Sequence, residues 1–222
     1  MTTAIILAAG KSERMGGSVD KAFLSLVDKP VVAWSLMAFE KCADIDRIIL
    51  VVRKEQVVAS KAVVKMFGIS KIDKILPGGT KRQESVAAGL EACDIDTRYV
   101  VIHDAARPLV THETISEVVN AVKKSPAVTV GRPLTDTIKR CEKGAVVTET
   151  ISRDKVWAVQ TPQAFQLKEL RAAYKAVGKD ELTDDCMAVE RNGVTVKIVE
   201  NLRPNVKITV PEDLQLVARL LK

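Results

Sequence analysis

Short β-type segments alternate with longer amphipathic segments along most of this chain, and this alternation limits the folds that it can adopt. Residues 3–8 are almost wholly apolar, as is typical of a parallel strand covered on both faces. Further strands are predicted at residues 47–52, 71–76, 99–103, 127–132 and 194–199. Helices are predicted at residues 30–42, 55–67, 81–92, 111–124, 166–176, 184–192 and 211–221. Such alternation predicts right-handed βαβ units, and therefore an α/β fold whose mainly parallel sheet carries helices on both faces.

The alternation breaks between residues 136 and 160. Two β-rich segments, 137–141 and 146–151, are separated by Glu142-Lys143-Gly144-Ala145, which predicts a hairpin. An isolated hairpin is only marginally stable in water, so we expect it to project as a β-arm and to pack on a partner, most simply a second copy of the chain. We therefore expect a single domain over residues 1–222, with a β-arm at about 136–157 that is used for dimerisation.

The composition narrows the possible partners. Aromatic residues make up only 4% of the chain, and its net charge of +6 is spread along the sequence. A diffuse positive charge with few rings favours anionic metabolites over nucleic acid. The four cysteines lie far apart and there are two histidines, which argues against a zinc site. Since no apolar run reaches the roughly 18 residues of a membrane span, we expect a soluble, cytoplasmic protein with no membrane partner.

The loop after the first predicted strand has the features of a phosphate site. Ala8, Ala9 and Gly10 are small enough to let the backbone approach a base or a phosphate, and successive loop amides can bind an anion. Arg14 and Lys21 follow with positive charges. A P-loop is excluded because Ile5 stands where that motif needs glycine, and Ser12 and Met15 break a dinucleotide fingerprint. A turn with solvated charges remains the simpler alternative.

Two further groups of residues follow strands, at the edge of the sheet where ligands bind in this fold class. The first, Pro77-Gly78-Gly79-Thr80, ends a strand and precedes a helix. The second is His103-Asp104-Ala105-Ala106-Arg107-Pro108. Asp104 could orient a hydroxyl or hold Mg²⁺, and Arg107 could bind a phosphate through two hydrogen bonds. A cap with a surface ion pair is the alternative, and His103 by itself is better interpreted as a packed histidine. Thr183-Asp184-Asp185 is best interpreted as a helix N-cap.

Taken in order, these segments closely resemble the 2-C-methyl-D-erythritol 4-phosphate cytidylyltransferase family of the non-mevalonate isoprenoid route. The resemblance extends from residue 4 to about residue 214. The matching residues are Ala8-Ala9-Gly10, Arg14-Met15, Lys21, Gly78-Gly79, Arg82, Ser85, the segment from His103 to Pro108, Asp136-Thr137-Ile138-Lys139, Thr161-Pro162-Gln163, Thr183-Asp184 and Asn205-Val206-Lys207. Each motif is weak by itself, whereas the ordered series is specific.

The resemblance implies a Rossmann-like nucleotidyltransferase fold, a homodimer joined through the β-arm, and dependence on Mg²⁺ with Asp104 as a candidate ligand. It implies that CTP is bound by Ala8, Ala9, Gly10, Gly78, Gly79, Thr80, Ser85 and Asp104. It implies that the methylerythritol phosphate is surrounded by Asp104, Arg107, Thr137, Thr161 and Lys207, with Arg153 reaching it from the partner subunit. The catalytic cations would be Arg14, Lys21 and Lys207.

Three short segments depart from the family pattern. Ser12 replaces a usual glycine, Asp20 and Ala22 flank Lys21 where proline and glutamine are frequent, and Cys186 replaces an alanine. None of these changes removes a cation expected to touch phosphate. Two alternatives remain at this stage: a ribitol-5-phosphate cytidylyltransferase, and a non-catalytic nucleotide-binding dimer.

Overall fold

A computed structural model of the chain describes residues 1–10, 20–178 and 180–221. Its strands are β1 (Thr2–Ala8), β2 (Ser25–Leu26), β3 (Lys29–Pro30), β4 (Arg47–Val52), β5 (Ile72–Pro77), β6 (Tyr99–Asp104), β7 (Ala127–Pro133), β8 (Ile138–Glu142), β9 (Val146–Ile151), β10 (Trp157–Gln166) and β11 (Val196–Glu200). Its α-helices are α1 (Val31–Lys41), α2 (Val57–Met66), α3 (Arg82–Ala92), α4 (His112–Val122), α5 (Leu167–Val177), α6 (Asp185–Arg191) and α7 (Pro211–Leu220).

A seven-stranded sheet with the order β11-β7-β10-β6-β1-β4-β5 forms the centre of the molecule. Strand β1 pairs in parallel with β4 and β6, and β5 and β11 pair in parallel with β4 and β7. Helices cross from strand to strand, as the alternation of the sequence predicts. The predicted α/β fold with a mainly parallel sheet is therefore confirmed.

Two apolar layers cover the two faces of this sheet. Alternate side chains of β1 serve the two layers, with Ile6 in the first and Ile5 in the second, because successive strand residues point to opposite faces. The first layer joins the sheet to α1, α2 and α4, and the second joins it to α3, α5 and α6. A smaller cluster packs α7 against Leu26, Val31 and Ile208. Burial on both faces explains why residues 3–8 are so apolar.

Strand β10 has no counterpart among the predicted strands. It runs antiparallel to both of its neighbours, β6 and β7. Its sequence alternates poorly and contains Pro162, which normally argues against a central strand. The proline is accommodated because the pairing with β7 shifts register between Gln160 and Gln163. That shift places Thr161 close to the end of β6, next to Asp104.

Strands β8 and β9 form the predicted hairpin as a separate two-stranded sheet. Most of its residues are exposed, including the large apolar side chains of Val146 and Val147.

None of the helices in the described part of the chain has the length and hydrophobicity of a membrane-spanning segment.

Candidate active site

The carboxyl ends of β1, β4 and β6 meet at one edge of the sheet and open a cavity. The register places Ala8 opposite Val52 and Leu7 opposite Asp104, so the loops that follow these strands start side by side. The described residues that line this first cavity are Leu7, Ala8, Ala9, Gly10, Asp20, Lys21, Ala22, Gly79, Thr80, Lys81, Arg82, Ser85, Asp104, Ala105, Ala106 and Lys207. Its lining combines small residues, among which we call Ala8, Ala9 and Gly79 the floor, with the cations Lys21, Lys81, Arg82 and Lys207.

The two glycines after β5 are required by close packing. A Cβ atom on Gly78 would lie 2.6 Å from Cβ of Ala9 and 2.6 Å from Oγ of Ser85, which is closer than van der Waals contact allows. A Cβ atom on Gly79 would overlap with the side chain of Glu84. Gly78 therefore lies beneath the floor of the cavity, while Gly79 lines it.

The N-terminus of α3 is capped by its own carboxylate. Glu84 accepts hydrogen bonds from the backbone amides of Thr80 and Lys81, at 2.7 and 3.1 Å, and from the Thr80 hydroxyl. These amides would otherwise be free to bind an anion. Since Glu84 already accepts from them, the positive charge offered to a phosphate at this edge comes from side chains instead.

Asp104, at the end of β6, accepts hydrogen bonds from two cations. Arg82 Nε lies 3.1 Å from its Oδ1, and Lys207 Nζ lies 2.6 Å from its Oδ2. Burial opposes the ionisation of Asp104, but the charges of Arg82 and Lys207 outweigh it and hold the pKa of this carboxyl well below its usual range. Asp104 is therefore ionised, and it fixes the positions of both cations.

The guanidinium of Arg82 also pairs with a second carboxylate, which lies deeper in the protein. Its Nη2 donates to Asp185 at 2.8 Å, and Asp185 also accepts from the Tyr174 hydroxyl at 2.5 Å. Asp185 is fully buried. Burial opposes the charge on Arg82, yet Asp185 and Asp104 together raise its pKa well above the usual value. Helices α3, α5 and α6 are thus joined through one buried ion pair.

A second cavity opens on the other side of Arg82. Its lining residues are Arg82, Asp104, Arg107, Thr129, Val159, Gln160, Thr161, Gln163, Thr183, Asp184, Cys186, Met187, Glu190, Val196, Ile198 and Lys207. Arg82, Asp104 and Lys207 line both cavities. Two ligands bound in these cavities would therefore meet at the same three charged side chains.

His103 has a structural role beside Asp104, where it connects Arg107 and Thr161. Its Nε2 lies 3.3 Å from the carbonyl oxygen of Arg107, which can only accept, so the proton is on Nε2. Its Nδ1 then accepts from the Thr161 hydroxyl at 3.2 Å, and that hydroxyl accepts from the Asp104 amide at 3.1 Å. Burial lowers the pKa of His103 to about 3, so the ring is neutral at physiological pH. The prediction of a packed histidine is confirmed.

Arg107 and Asn205 lie next to each other below the second cavity. Arg107 donates from Nη1 to the Asn205 carbonyl at 2.8 Å, and Asn205 Nδ2 donates to the Thr161 carbonyl at 2.9 Å. Among the described residues, none accepts from the buried Nε of Arg107 or donates to Oδ1 of Asn205. Arg107 lines the second cavity, whereas Asn205 lies behind it and lines neither cavity.

Comparisons with known proteins agree with this geometry. Residues 2–222 match the family model described as 2-C-methyl-D-erythritol 4-phosphate cytidylyltransferase. The chain belongs to this family. A cytidylyltransferase of this name from Alkaliphilus metalliredigens is 41% identical over 96% of this chain and 89% of its own length. Another, from Caldanaerobacter subterraneus, is 42% identical over 99% of this chain and 98% of its own length.

Solved structures of the family superpose closely on this chain. The 4-diphosphocytidyl-2C-methyl-D-erythritol synthase of Anaerococcus prevotii has a TM-score of 0.87 and 31% identity, covering 100% of this chain and 96% of its own. The 2-C-methyl-D-erythritol 4-phosphate cytidylyltransferase of Thermus thermophilus has a TM-score of 0.81 and 29% identity, covering 98% of this chain and 97% of its own. The family and the nucleotidyltransferase class predicted from the sequence are thereby confirmed.

Most of the site residues predicted for a cytidylyltransferase line the cavities. The first cavity contains Ala8, Ala9, Gly10, Lys21, Gly79, Thr80, Ser85, Asp104 and Lys207, and the second contains Asp104, Arg107, Thr161 and Lys207. Arg14 lies outside the described residues. Thr137 and Arg153 line neither cavity of their own chain, and Arg153 donates to the carbonyl of Thr135 beside the hairpin.

The donor set does not favour Asp104 as a direct metal ligand. Both of its oxygens already accept from cations, so a metal ion would have to share the carboxylate with Arg82 and Lys207 and would be repelled by their charges. Within the described residues there is no group of three or more His, Cys, Asp or Glu side chains that could hold a metal ion. Magnesium in proteins is commonly held by one or two carboxylates together with substrate phosphates, and here the phosphates would have to supply most of the ligands.

Three residues of the charge network beside the cavities have no role assigned by the sequence: Arg82, Tyr174 and Asp185. Arg82 is one of the residues that carry the family resemblance, and its place three residues after Gly79 at the start of a helix is a usable signal. Asp185 lies in the first turn of α6, as the sequence predicts, but the sequence does not predict that it is fully buried. Its N-cap neighbour Asp184 does accept from the Met187 amide at 2.9 Å, as predicted.

Proposed function

We propose that this chain transfers a cytidylyl group from CTP to 2-C-methyl-D-erythritol 4-phosphate, giving 4-diphosphocytidyl-2-C-methyl-D-erythritol and pyrophosphate. Family membership supports this reaction over the ribitol-phosphate and non-catalytic alternatives. The observation that carries the proposal is the pair of cavities that share Arg82, Asp104 and Lys207. A reaction between two phosphates needs two binding sites that meet at a cluster of cations.

The first cavity suits the nucleotide. Its floor of Ala8, Ala9 and Gly79 carries no large side chain, so a pyrimidine base could lie close to the backbone. Ser85 is held by packing against Gly78 and accepts from the Gly79 amide at 3.2 Å. Lys21 lines the same cavity and supplies positive charge for the triphosphate, together with Arg14 as the sequence predicts.

The second cavity suits the polyol phosphate. Thr161, Gln160 and Gln163 offer polar groups along one wall, and Val159 and Ile198 offer an apolar surface. An acceptor with several hydroxyls and one branching methyl group needs both. Arg107 and Lys207 would hold its phosphate, since a guanidinium and an ammonium are the usual phosphate donors.

The chemical step is an in-line displacement at the α-phosphorus of CTP. An oxygen of the acceptor phosphate forms the new bond to this phosphorus, while the bond to the bridging oxygen breaks and pyrophosphate leaves with the electron pair. A phosphate monoester has a second pKa of about 6, so its oxygen is already ionised and no general base is required. The neutral, buried His103 is consistent with this requirement.

Catalysis in this proposal is positioning and charge stabilisation. Lys21 and Arg14 offset the charge that grows on the α-phosphoryl oxygens and on pyrophosphate. Lys207 is held at 2.6 Å from Asp104, and it draws the acceptor phosphate towards the α-phosphorus against the repulsion of the two anions. Mg²⁺ would accompany the triphosphate and neutralise part of its charge.

The proposal includes a homodimer joined through the hairpin of β8 and β9, with Arg153 and Thr137 contributing to the acceptor site of the partner subunit. The exposed apolar side chains of Val146 and Val147 on this hairpin support its packing on a second copy of the chain. A cytoplasmic location, expected from the sequence, is part of the same proposal.

The decisive experiment measures pyrophosphate release by the purified protein with CTP and Mg²⁺ and one of two acceptors. We expect turnover with 2-C-methyl-D-erythritol 4-phosphate and at least a hundredfold lower kcat/KM with ribitol 5-phosphate, a difference of about 2.7 kcal/mol. A preference for ribitol 5-phosphate would reassign the substrate. CTP binding without pyrophosphate release with either acceptor would show a non-catalytic protein.

A further inference from the structure

One guanidinium connects the start and the end of the first loop at the nucleotide cavity. Arg53 follows β4, and the register of β4 with β1 brings it beside the residues that follow Ala8. Its Nη2 donates to the carbonyl oxygen of Gly10 at 3.1 Å. Its Nε lies 3.7 Å from Oδ2 of Asp20. Gly10 and Asp20 are ten positions apart, and both line the nucleotide cavity.

Asp20 connects Arg53 to the helix that begins with Lys21. Its Oδ1 accepts from the Ala22 amide at 3.1 Å and so caps the short 3₁₀ helix Lys21–Phe23. Its Oδ2 is buried, and no described residue donates a hydrogen bond to it. Burial raises the pKa of Asp20, and Arg53 is the cation paired with it. The carboxylate thus faces Arg53 on one side and holds the helix that begins with Lys21 on the other.

We propose that Arg53 is a positioning residue for cytidylyl transfer: by binding Gly10 and Asp20 together, it fixes Lys21 relative to the floor on which the nucleotide lies. Arg53 lines neither cavity, so it acts through Lys21 and Gly10 and touches no substrate. A lysine can make one of these contacts as a point charge, whereas the planar fork of an arginine makes both. The proposal rests on the proposed function, because it concerns the geometry of the CTP site.

A surface ion pair is the simpler interpretation of the Arg53–Asp20 contact, and such pairs contribute about 0–1 kcal/mol. Two observations argue against it. First, the Asp20 side chain is only 5% exposed, so the pair is not on the surface. Second, Arg53 also donates to the backbone carbonyl of Gly10, which is a contact that a simple Arg–Asp ion pair does not include. Loss of Arg53 would remove this contact with Gly10 and would leave the buried Asp20 carboxylate without its paired guanidinium.

The test replaces Arg53 with methionine, which is uncharged and similar in length. We expect Arg53→Met to lower kcat/KM for CTP by roughly 10- to 100-fold, since displacement of a catalytic group by about 1 Å has effects of this size. The KM for the acceptor phosphate should stay within about twofold, and thermal unfolding should show that the variant is fully folded at the assay temperature. CTP affinity measured by calorimetry without acceptor should weaken in the same variant.

The adjacent Lys54→Met is the matched control, because Lys54 is exposed and lines neither cavity; it should behave as the wild type. Wild-type kcat/KM for CTP in Arg53→Met would overturn the proposal. Equal losses for CTP and acceptor, with a lower unfolding midpoint, would also overturn it by showing a general structural role.

A double variant separates positioning from neutralisation. If Arg53 served only to neutralise Asp20, Asp20→Asn in the Arg53→Met background would restore wild-type CTP affinity, and that recovery would refute the proposal. We expect the double variant to stay at least fivefold weaker, because the contact with Gly10 is still missing. Activity of the wild type with CTP and methylerythritol phosphate, measured in parallel, tests the proposed function separately.

Discussion

Among single residues, the cations around the two cavities differ in how they are placed. Lys207 is held by Asp104 at 2.6 Å, whereas Lys21 is placed by the capped 3₁₀ helix that starts after Asp20. We expect Lys21→Ala to lower kcat by roughly 10²–10³, because it removes charge that opposes the developing negative charge. The free energy of unfolding of this variant should change by less than about 1 kcal/mol.

Initial rates of pyrophosphate release measure kcat, and urea unfolding measures the free energy of unfolding. Lys41→Ala, on an exposed helix end, is the control, and wild-type turnover in Lys21→Ala would contradict the assignment.

Gly78 gives a second residue-level prediction. A methyl group there would lie 2.6 Å from both Ala9 and Ser85, so Gly78→Ala must move the cavity floor. Overpacking of this kind costs about 1–3 kcal/mol, and we expect that loss in urea unfolding together with weaker CTP binding. Gly10→Ala is the matched control for stability, because no described atom lies within 4 Å of its would-be Cβ. Unchanged stability and affinity in Gly78→Ala would show that the floor tolerates the extra atom.

The sequence contained enough information to predict these residues but not the contacts between them. Small residues and cations after apolar strands follow from local patterns, and Ala8, Gly79, Lys21 and Lys207 all line the first cavity. The burial of Asp185 depends on α6 packing beside α3 and α5, which are distant in sequence. Its partner Tyr174 lies on α5 with no local signal for that contact.

At the level of secondary-structure elements, the strands that carry long-range antiparallel pairing were the hardest to predict. The parallel strands are covered on both faces and appear as apolar runs, so β1, β4, β6 and β7 were predicted within a residue or two. Strand β10 mixes polar residues with Pro162 and pairs between two strands far away in sequence. The hairpin β8–β9 was predicted because its turn is local.

Helix α6 is anchored by the buried pair between Asp185 and Arg82, which gives an element-level prediction. We expect Asp185→Asn to reduce the free energy of unfolding by about 2–3 kcal/mol, since it removes one of the two carboxylates that are paired with Arg82 and breaks a buried ion pair. This value is below the usual range of roughly 3–5 kcal/mol, because Arg82 keeps Asp104 as a partner and its side chain is 30% exposed. Urea unfolding measures the change. Arg191→Ala, which breaks a surface pair on the same helix, should cost less than about 1 kcal/mol. Equal effects of the two variants would mean that the buried pair does not anchor α6.

At the level of the whole molecule, global stability should depend on pH through His103. Its pKa falls from 6.5 in the unfolded chain to about 3 in the fold, so the unfolded state binds the extra proton between these values. The stabilisation is complete above about pH 6.5 and is lost as the pH falls towards 3, with a slope approaching 1.4 kcal/mol per pH unit near pH 5. Urea unfolding at pH 7, 6 and 5 measures this slope. His103→Gln should flatten it, while His112→Gln, on the surface, should retain it. An unchanged slope in His103→Gln would assign the pH dependence to other groups.

The assembly makes the last prediction, because a shared acceptor site and a self-sufficient one behave differently when subunits are mixed. Arg153→Ala would disable the acceptor site of the partner subunit, and Lys21→Ala would disable the nucleotide site of its own subunit. In a hybrid dimer, one of the two sites then combines an intact Lys21 with an intact Arg153 from the other chain. We expect mixtures of the two inactive variants to regain up to about a quarter of wild-type activity after subunit exchange, from random pairing of half the dimers with one working site each. Exchange is verified by differently tagged chains, and the mixture of each variant with itself is the control. Proven exchange without recovered activity would place Arg153 outside the partner's site and leave the hairpin without a catalytic role.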